Sequence, residues 1–129
     1  MNIIDHLSVG VDDLKAAGAF YTPVLETIGV SLLADTEHFL AYGKDAVQFL
    51  AMPPYDKEKA SNGNGVHICF TAASPDAVRH FHDAAVKAGG TCEGAPGPRP
   101  AYPTENAYAA YIRDPFGNKL EVIHGGFQS

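Results

Sequence analysis

An internal repeat constrains the possible folds of this chain more than any other feature of its sequence. When the first half is laid on the second so that the two stretches of alternating polar and apolar residues coincide, the match continues well beyond them. The matching pairs are His6 with His67, Leu7 with Ile68, Val9 with Phe70, Phe20 with Phe81, and Gly29 with Gly90. Two copies of this length predict one module duplicated within a compact domain rather than a solenoid.

The first copy has the pattern of a strand, a helix and three further strands. Asp12 or Asp13 can cap the helix, and Gly29 can end it. Pro23 removes one backbone hydrogen bond, so we expect a kink or a tight last turn there. Alternating apolar residues and turn residues define the strands. We predict strands over residues 3–11, 30–34, 38–42 and 46–51.

The second copy repeats this pattern. Ser74 and Pro75 are typical of a helix start, and two glycines, Gly89 and Gly90, can end the helix. We predict strands over residues 65–71, 91–95, 107–113 and 119–124. A proline-rich loop over residues 96–103 has no counterpart in the first copy, and residues 52–64 have the composition of a solvated connector.

Together these patterns predict an α+β fold. Two βαβββ modules in tandem would form a curved mixed β-sheet cup with the helices on its outer face. We expect a single domain over residues 1–129, with one module over residues 1–52 and the other over residues 65–126. A chain of 129 residues is long enough to bury a hydrophobic core without disulfides or metals as staples.

Composition and charge exclude several classes of function. The formal net charge of −6 and the lack of a basic run argue against binding to nucleic acid or to an anionic membrane. No apolar run is long enough to span a bilayer, and no basic segment precedes an apolar one at the amino terminus. Cys69 and Cys92 are too few for a disulfide framework. We therefore expect a reduced, cytoplasmic protein whose partner is a small molecule.

Four polar side chains occupy equivalent places in the two modules, on the first or last strand and on the face opposite the helix. They are His6, Gln48, His67 and Glu121. Two imidazoles and a carboxylate with open positions suit a divalent transition metal such as Fe, Mn, Ni, Co or Zn. Any one of these residues alone is more often a polar residue of a solvated sheet face. Their relation through the repeat favours a metal site, with Gln48 either as a weak fourth ligand through its amide oxygen or as a partner of the ligands.

The stretch from Tyr111 to Val122 has the sequence YIRDPFGNKLEV, which contains a turn followed by the start of a strand that carries Glu121. This stretch and the duplicated module resemble the vicinal oxygen chelate superfamily, over residues 4–124. That superfamily includes glyoxalase I, extradiol dioxygenases, methylmalonyl-CoA epimerases, fosfomycin-resistance transferases and bleomycin-binding proteins. The resemblance implies that His6, His67 and Glu121 match the family's metal positions on strands one, five and eight. Gln48 occupies the metal-ligand position on the fourth strand. Many glyoxalases have glutamate at this position, and glutamine there is compatible with the ligand set of the epimerase-like members.

The implied function is that of a metal-dependent enzyme acting on a small molecule with two adjacent oxygens. Glu121 would be the catalytic carboxylate, in either a lyase or isomerase reaction or a ring-cleaving dioxygenase reaction. The alternative is a metal-free ligand-binding or drug-binding module of the bleomycin-resistance type. We expect a homodimer, and the two modules of one site could come from one chain or from two.

Five further residues are candidates for substrate contacts. Arg99 and Tyr102 belong to the proline-rich loop, where an arginine could anchor an anion or simply face solvent. Tyr108 and Tyr111 alternate with alanines, so at least one should line the cup while the other packs. Cys69 shares the face of His67, although a small buried hydrophobic residue is the more common role. The other histidines, at positions 38, 80, 82 and 124, are expected on the surface or at caps.

Overall fold

A computed structural model describes residues 3–127 of the protein. Two helices and eight strands lie within these residues. In chain order they are β1 (Leu7–Gly10), α1 (Leu14–Glu26), β2 (Ser31–Asp35), β3 (Leu40–Gly43), β4 (Val47–Met52), β5 (His67–Thr71), α2 (Pro75–Lys87), β6 (Thr91–Pro98), β7 (Tyr108–Arg113) and β8 (Lys119–His124).

Each half of the chain forms one βαβββ module with a mixed four-stranded sheet. The strand orders are β1-β4-β3-β2 and β5-β8-β7-β6. Within each sheet the first and last strands of the module are parallel neighbours, and the other pairs are antiparallel. The α+β class and the two tandem modules are thus confirmed. The domain limits stay predictions, and residues 1–2 and 128–129 lie outside the described residues.

The helix starts follow the sequence signals. The Asp13 side chain accepts a hydrogen bond from the Ala16 amide at 3.0 Å, and the Ser74 hydroxyl does the same for the Ala77 amide at 3.1 Å. Both contacts satisfy amides that have no partner within the helix. Pro23 lies inside α1, which continues to Glu26 without ending at the proline.

The bounds of two strands differ from the sequence prediction by more than two residues. β1 begins at Leu7 rather than at residue 3, and its pairing with β4 starts at Leu7 with Phe49. His6 therefore precedes the strand on which it was predicted. β6 extends to Pro98 instead of ending at residue 95, with register shifts before Gly94 and Gly97 that keep its pairing to β7. Part of the proline-rich stretch is thus an irregular strand.

The two modules share one hydrophobic core. Its buried side chains come from both helices and from strands of both sheets. The rings of Phe49 on β4 and Phe70 on β5 contact each other, with centroids 5.3 Å apart. Gly90 lies so close to α1 that an added Cβ would be 2.9 Å from Cε1 of Phe20. The helix-covered faces of the modules are therefore joined within one chain.

Buried polar contacts also join the modules. The Tyr21 hydroxyl of α1 donates to the Asp114 carboxylate in the β7–β8 turn at 2.5 Å. The Asn118 side-chain amide donates to the same carboxylate at 2.8 Å and to the Gly10 carbonyl of the first module at 2.9 Å. Asp114 and Asn118 are both buried, so these hydrogen bonds form away from competing water.

The stability of the protein should fall at alkaline pH through Tyr21. Burial raises the pKa of its phenol, and the nearby Asp114 carboxylate raises it further. Above about pH 10 the unfolded chain releases this proton while the folded chain keeps it. The stabilisation is therefore complete below about pH 10 and is lost as pH rises toward the folded pKa. Urea unfolding between about pH 8 and 11 measures the slope, which Tyr21→Phe should reduce. Tyr55→Phe, at an exposed tyrosine, is the control, and equal slopes for both variants would contradict the assignment.

Among residues 3–127, no helix is long and apolar enough to cross a membrane. The cytoplasmic location stays a prediction.

Candidate functional site

Glu121 is the centre of a polar cluster on the second module. It lies on β8, where Cys69 of β5 and Tyr111 of β7 are its partners across the sheet. Although it is a carboxylate, only 4% of Glu121 is exposed. A buried carboxylate is costly unless it is hydrogen-bonded, and both of its oxygens have partners. Oε1 lies 3.1 Å from His67 Nε2, and Oε2 accepts a hydrogen bond from the Tyr102 hydroxyl at 2.8 Å.

Two tyrosines form the wall of this cluster on the side of β7. The Tyr102 hydroxyl is hydrogen-bonded to the Tyr111 hydroxyl as well as to Glu121. Desolvation raises the pKa of Tyr102, and the hydrogen bonds to Tyr111 and Glu121 raise it further. Desolvation also raises the pKa of Tyr111. Both phenols therefore stay protonated, and the single O–H of Tyr102 is donated to the carboxylate.

Cys69 also lies against Glu121. The residue is exposed, so a role as a buried hydrophobic residue does not describe it. Desolvation of the sulfur raises the pKa of this thiol, and the charge of Glu121 together with a hydrogen bond to it raises the pKa further. At neutral pH Cys69 is thus a thiol that lies beside the Glu121 carboxylate.

Arg99 stabilises the loop that presents Tyr102. Its guanidinium donates to the backbone carbonyls of Gly97, Pro98 and Ala95 at 3.0, 3.2 and 3.0 Å. It also lies over the Tyr111 ring, 6.0 Å from the centroid. Arg99 and Tyr102 line a surface cavity of about 400 Å³ formed by residues 98–107. The contacts of Arg99 are those of a residue that holds a loop conformation beside the cluster.

Tyr108 lies on the other face of the sheet. It packs against the shared core, and its hydroxyl accepts a hydrogen bond from Arg79 of α2 at 3.0 Å. Of the two alternating tyrosines, Tyr111 is the one next to Glu121. Lys119, which the sequence did not single out, lies with its Nζ 5.1 Å from the Tyr111 centroid. Lys119 pairs with His67 in the β5–β8 register, and paired residues of neighbouring strands share a face. Predicting this register would have placed Lys119 on the same face as the candidate site.

The candidate residues of the first module are both exposed. His6 is exposed, and its Nδ1 is 2.6 Å from the carboxylate of Asp5. Gln48 is exposed on β4 and lines an open groove of about 500 Å³ between the modules, together with Cys69. Across residues 3–127, no three His, Cys, Asp or Glu side chains lie close enough together to hold a metal ion. The predicted convergence of His6 with His67 and Glu121 is therefore not found within one chain.

The cluster contains two atoms of the types that coordinate divalent transition metals. An imidazole nitrogen and a carboxylate oxygen are the ligand types that divalent transition metals take, and a third protein ligand is usual. His67 and Glu121 offer two such atoms 3.1 Å apart. His67 is partly exposed, so the pair opens to the surface. One chain thus supplies a partial ligand set with room for ligands from elsewhere.

Comparison with known proteins identifies the family. A family model described as the Glyoxalase/Bleomycin resistance protein/Dioxygenase superfamily matches residues 3–122. The chain belongs to this superfamily. The resemblance predicted from the turn after β7 and from the duplicated module is confirmed at that level.

Solved structures of this superfamily resemble the whole chain. A glyoxalase/bleomycin resistance protein from Albidiferax ferrireducens T118 is 35% identical, with a TM-score of 0.86 over 95% of this chain and 98% of that chain. A lactoylglutathione lyase from Agrobacterium tumefaciens is 25% identical, with a TM-score of 0.66 over 96% and 93%. A superfamily enzyme from Burkholderia phytofirmans PsJN, at 18% identity and a TM-score of 0.73 over 94% and 97%, has the same fold. A comparison with curated proteins found no match.

Proposed function

We propose that the protein is a metal-dependent enzyme that acts on a small molecule with two adjacent oxygens. The observation that carries the proposal is the His67–Glu121 pair, in which a buried carboxylate lies 3.1 Å from a partly exposed imidazole. Burial of a carboxylate beside an imidazole at the surface is a typical arrangement for metal ligation or proton transfer. The lactoylglutathione lyase among the similar structures favours lyase or isomerase chemistry over ring cleavage.

We further propose that the complete site forms between two copies of the chain. The helix-covered faces of both modules are already used in the shared core, so one chain does not bring its own His6 to Glu121. His6 and Gln48 are exposed and available to a second copy. In a symmetric homodimer each site would take His67 and Glu121 from one chain and His6 and Gln48 from the other, which yields two equivalent sites.

The residues of the cluster have distinct tasks in this proposal. His6, His67 and Glu121, with Gln48 beside them, would hold a divalent metal, which would supply Lewis-acid stabilisation of negative charge on the substrate oxygens. Glu121 would be the carboxylate that accepts a proton from a substrate carbon, and it could do so only by leaving the metal transiently. Tyr102 and Tyr111 hold the orientation of this carboxylate by hydrogen bonds. Arg99 keeps the loop of Tyr102 in position.

Elemental analysis and activity assays on the purified protein test this function. We expect a divalent transition metal in the dimer, loss of activity in a chelator, and recovery when one of Fe, Mn, Ni, Co or Zn is added back. Substrates should be small carbonyl or hydroxy compounds with vicinal oxygens. Oxygen uptake with catechols would instead identify a ring-cleaving dioxygenase. A protein that binds none of these ions would contradict the proposal.

The second candidate is a metal-free ligand-binding module. It is favoured by one observation, that both oxygens of Glu121 already have hydrogen-bonding partners in the single chain. In that case the groove lined by Gln48 and Cys69 would hold a ligand directly. Ligand binding that is equally tight with and without a chelator, in a protein without turnover, would support this candidate over the enzyme.

A further inference from the structure

A cysteine–histidine contact lies on the helix side of the second module, away from the Glu121 cluster. His82 on α2 and Cys92 on β6 are brought together because β6 packs against α2. The imidazole Nε2 is 3.1 Å from the Cys92 sulfur. The other ring nitrogen of His82 lies 4.0 Å from the Asp83 carboxylate, and the neighbouring Glu93 is paired with Arg113.

The two partners differ in their access to solvent. Cys92 is exposed, whereas the His82 side chain is only 13% exposed. The imidazole is therefore held in position by its surroundings, and the sulfur remains open to a reagent. A thiol with a base within hydrogen-bonding distance and a free approach is the arrangement of an activated sulfur nucleophile. Neither residue takes part in the function proposed above.

We propose that Cys92 is a site of reversible modification by disulfides of low-molecular-weight thiols. In this exchange His82 Nε2 accepts the proton of the Cys92 thiol as the sulfur attacks one sulfur of the small disulfide. A new sulfur–sulfur bond forms to Cys92, and the sulfur–sulfur bond of the reagent breaks. The departing thiolate takes the proton from His82. The cysteine is oxidised, the small disulfide is reduced by the same amount, and a small thiol reverses the reaction.

Cys69 provides the internal comparison. It too is exposed, but its neighbour is the Glu121 carboxylate rather than an imidazole that could act as base in the exchange. Exchange should therefore occur first at Cys92, although both cysteines are accessible.

The test is the reaction of the full-length protein with oxidised glutathione at neutral pH, followed by peptide mass spectrometry. We expect the first adduct on Cys92, no early adduct in Cys92→Ser, and removal of the adduct by reduced thiol. His82→Gln should slow the reaction roughly tenfold, below the ~10²–10⁴ range of general bases in evolved enzymes. His80→Gln, an exposed histidine of the same helix, is the matched control and should react like the original protein.

Two results would overturn the proposal. One is an initial adduct on Cys69 in the unaltered protein, a measurement that does not depend on the folding of any variant. The other is an unchanged rate in folded His82→Gln, with folding checked by circular dichroism. The rate in His82→Gln does not bear on the proposed metal site, because Cys92 and His82 lie outside the Glu121 cluster.

Discussion

Replacing Glu121 by glutamine should reduce the affinity for a divalent metal by more than about 100-fold and abolish turnover. Removal of a residue that only supports a ligand costs ~10–100-fold in affinity or activity, and loss of the ligand itself should cost more. Glutamine keeps the size of the side chain and can still accept a hydrogen bond from Tyr102. The change therefore removes the negative charge beside His67 with little effect on packing.

Equilibrium dialysis against Ni²⁺ or Co²⁺ measures this loss of affinity. Glu37→Gln is the matched control, because Glu37 is the carboxylate of an exposed pair with His38, 3.3 Å apart. That variant should bind metal as tightly as the original protein. Equal affinities for Glu121→Gln and Glu37→Gln would show that the buried pair is not the metal site.

Replacing Asp114 by alanine should destabilise the protein by about 3–5 kcal/mol, the cost typical of removing one partner from a buried charged network. The carboxylate is 3% exposed. It accepts hydrogen bonds from the Tyr21 hydroxyl, from the side chain and backbone of Asn118, and from the Phe116 amide. Alanine would leave several of these donors buried without a partner, and each of them costs about 1–3 kcal/mol.

Urea unfolding compares this variant with Tyr21→Phe. The phenylalanine variant removes one donor and leaves the carboxylate with its other partners, so it should cost only about 1–2 kcal/mol. Asp114→Ala should therefore be the more destabilising change by a clear margin. A loss below about 1 kcal/mol for Asp114→Ala would mean that water replaces the network, contrary to its burial.

Much of the fold could be predicted from the sequence because it depends on local signals. Asp13 and Ser74 cap the helices as their side-chain chemistry predicts. The alternation from Lys119 to His124 predicts β8 with its observed bounds. The alternation continues to His6, but β1 pairs with β4 only from Leu7 onward, so alternation alone predicts a start of β1 that is too early. β6 was predicted too short because proline composition does not reveal that bulges can keep a strand paired.

The candidate site could be predicted only in part. The repeat relates His67 to His6 and Glu121 to Gln48. His67 and Glu121 lie close together because β5 and β8 are parallel neighbours in one sheet. The same repeat cannot tell whether two modules join within a chain or between chains. That choice depends on contacts such as Phe49 with Phe70, which are apolar packing without a sequence signature. The role of Tyr102 in covering Glu121 depends on the path of an irregular loop.

Subunit mixing is the most direct test of a metal site shared between two chains. His6→Ala and Glu121→Gln homodimers should each bind metal poorly. A mixed dimer, formed by joint unfolding and refolding, should contain one intact site, because one chain still supplies His67 and Glu121 and the other still supplies His6. We predict that metal binding and activity return in the mixture. A mixture that forms mixed dimers yet binds no more metal than the separate variants would contradict the shared site.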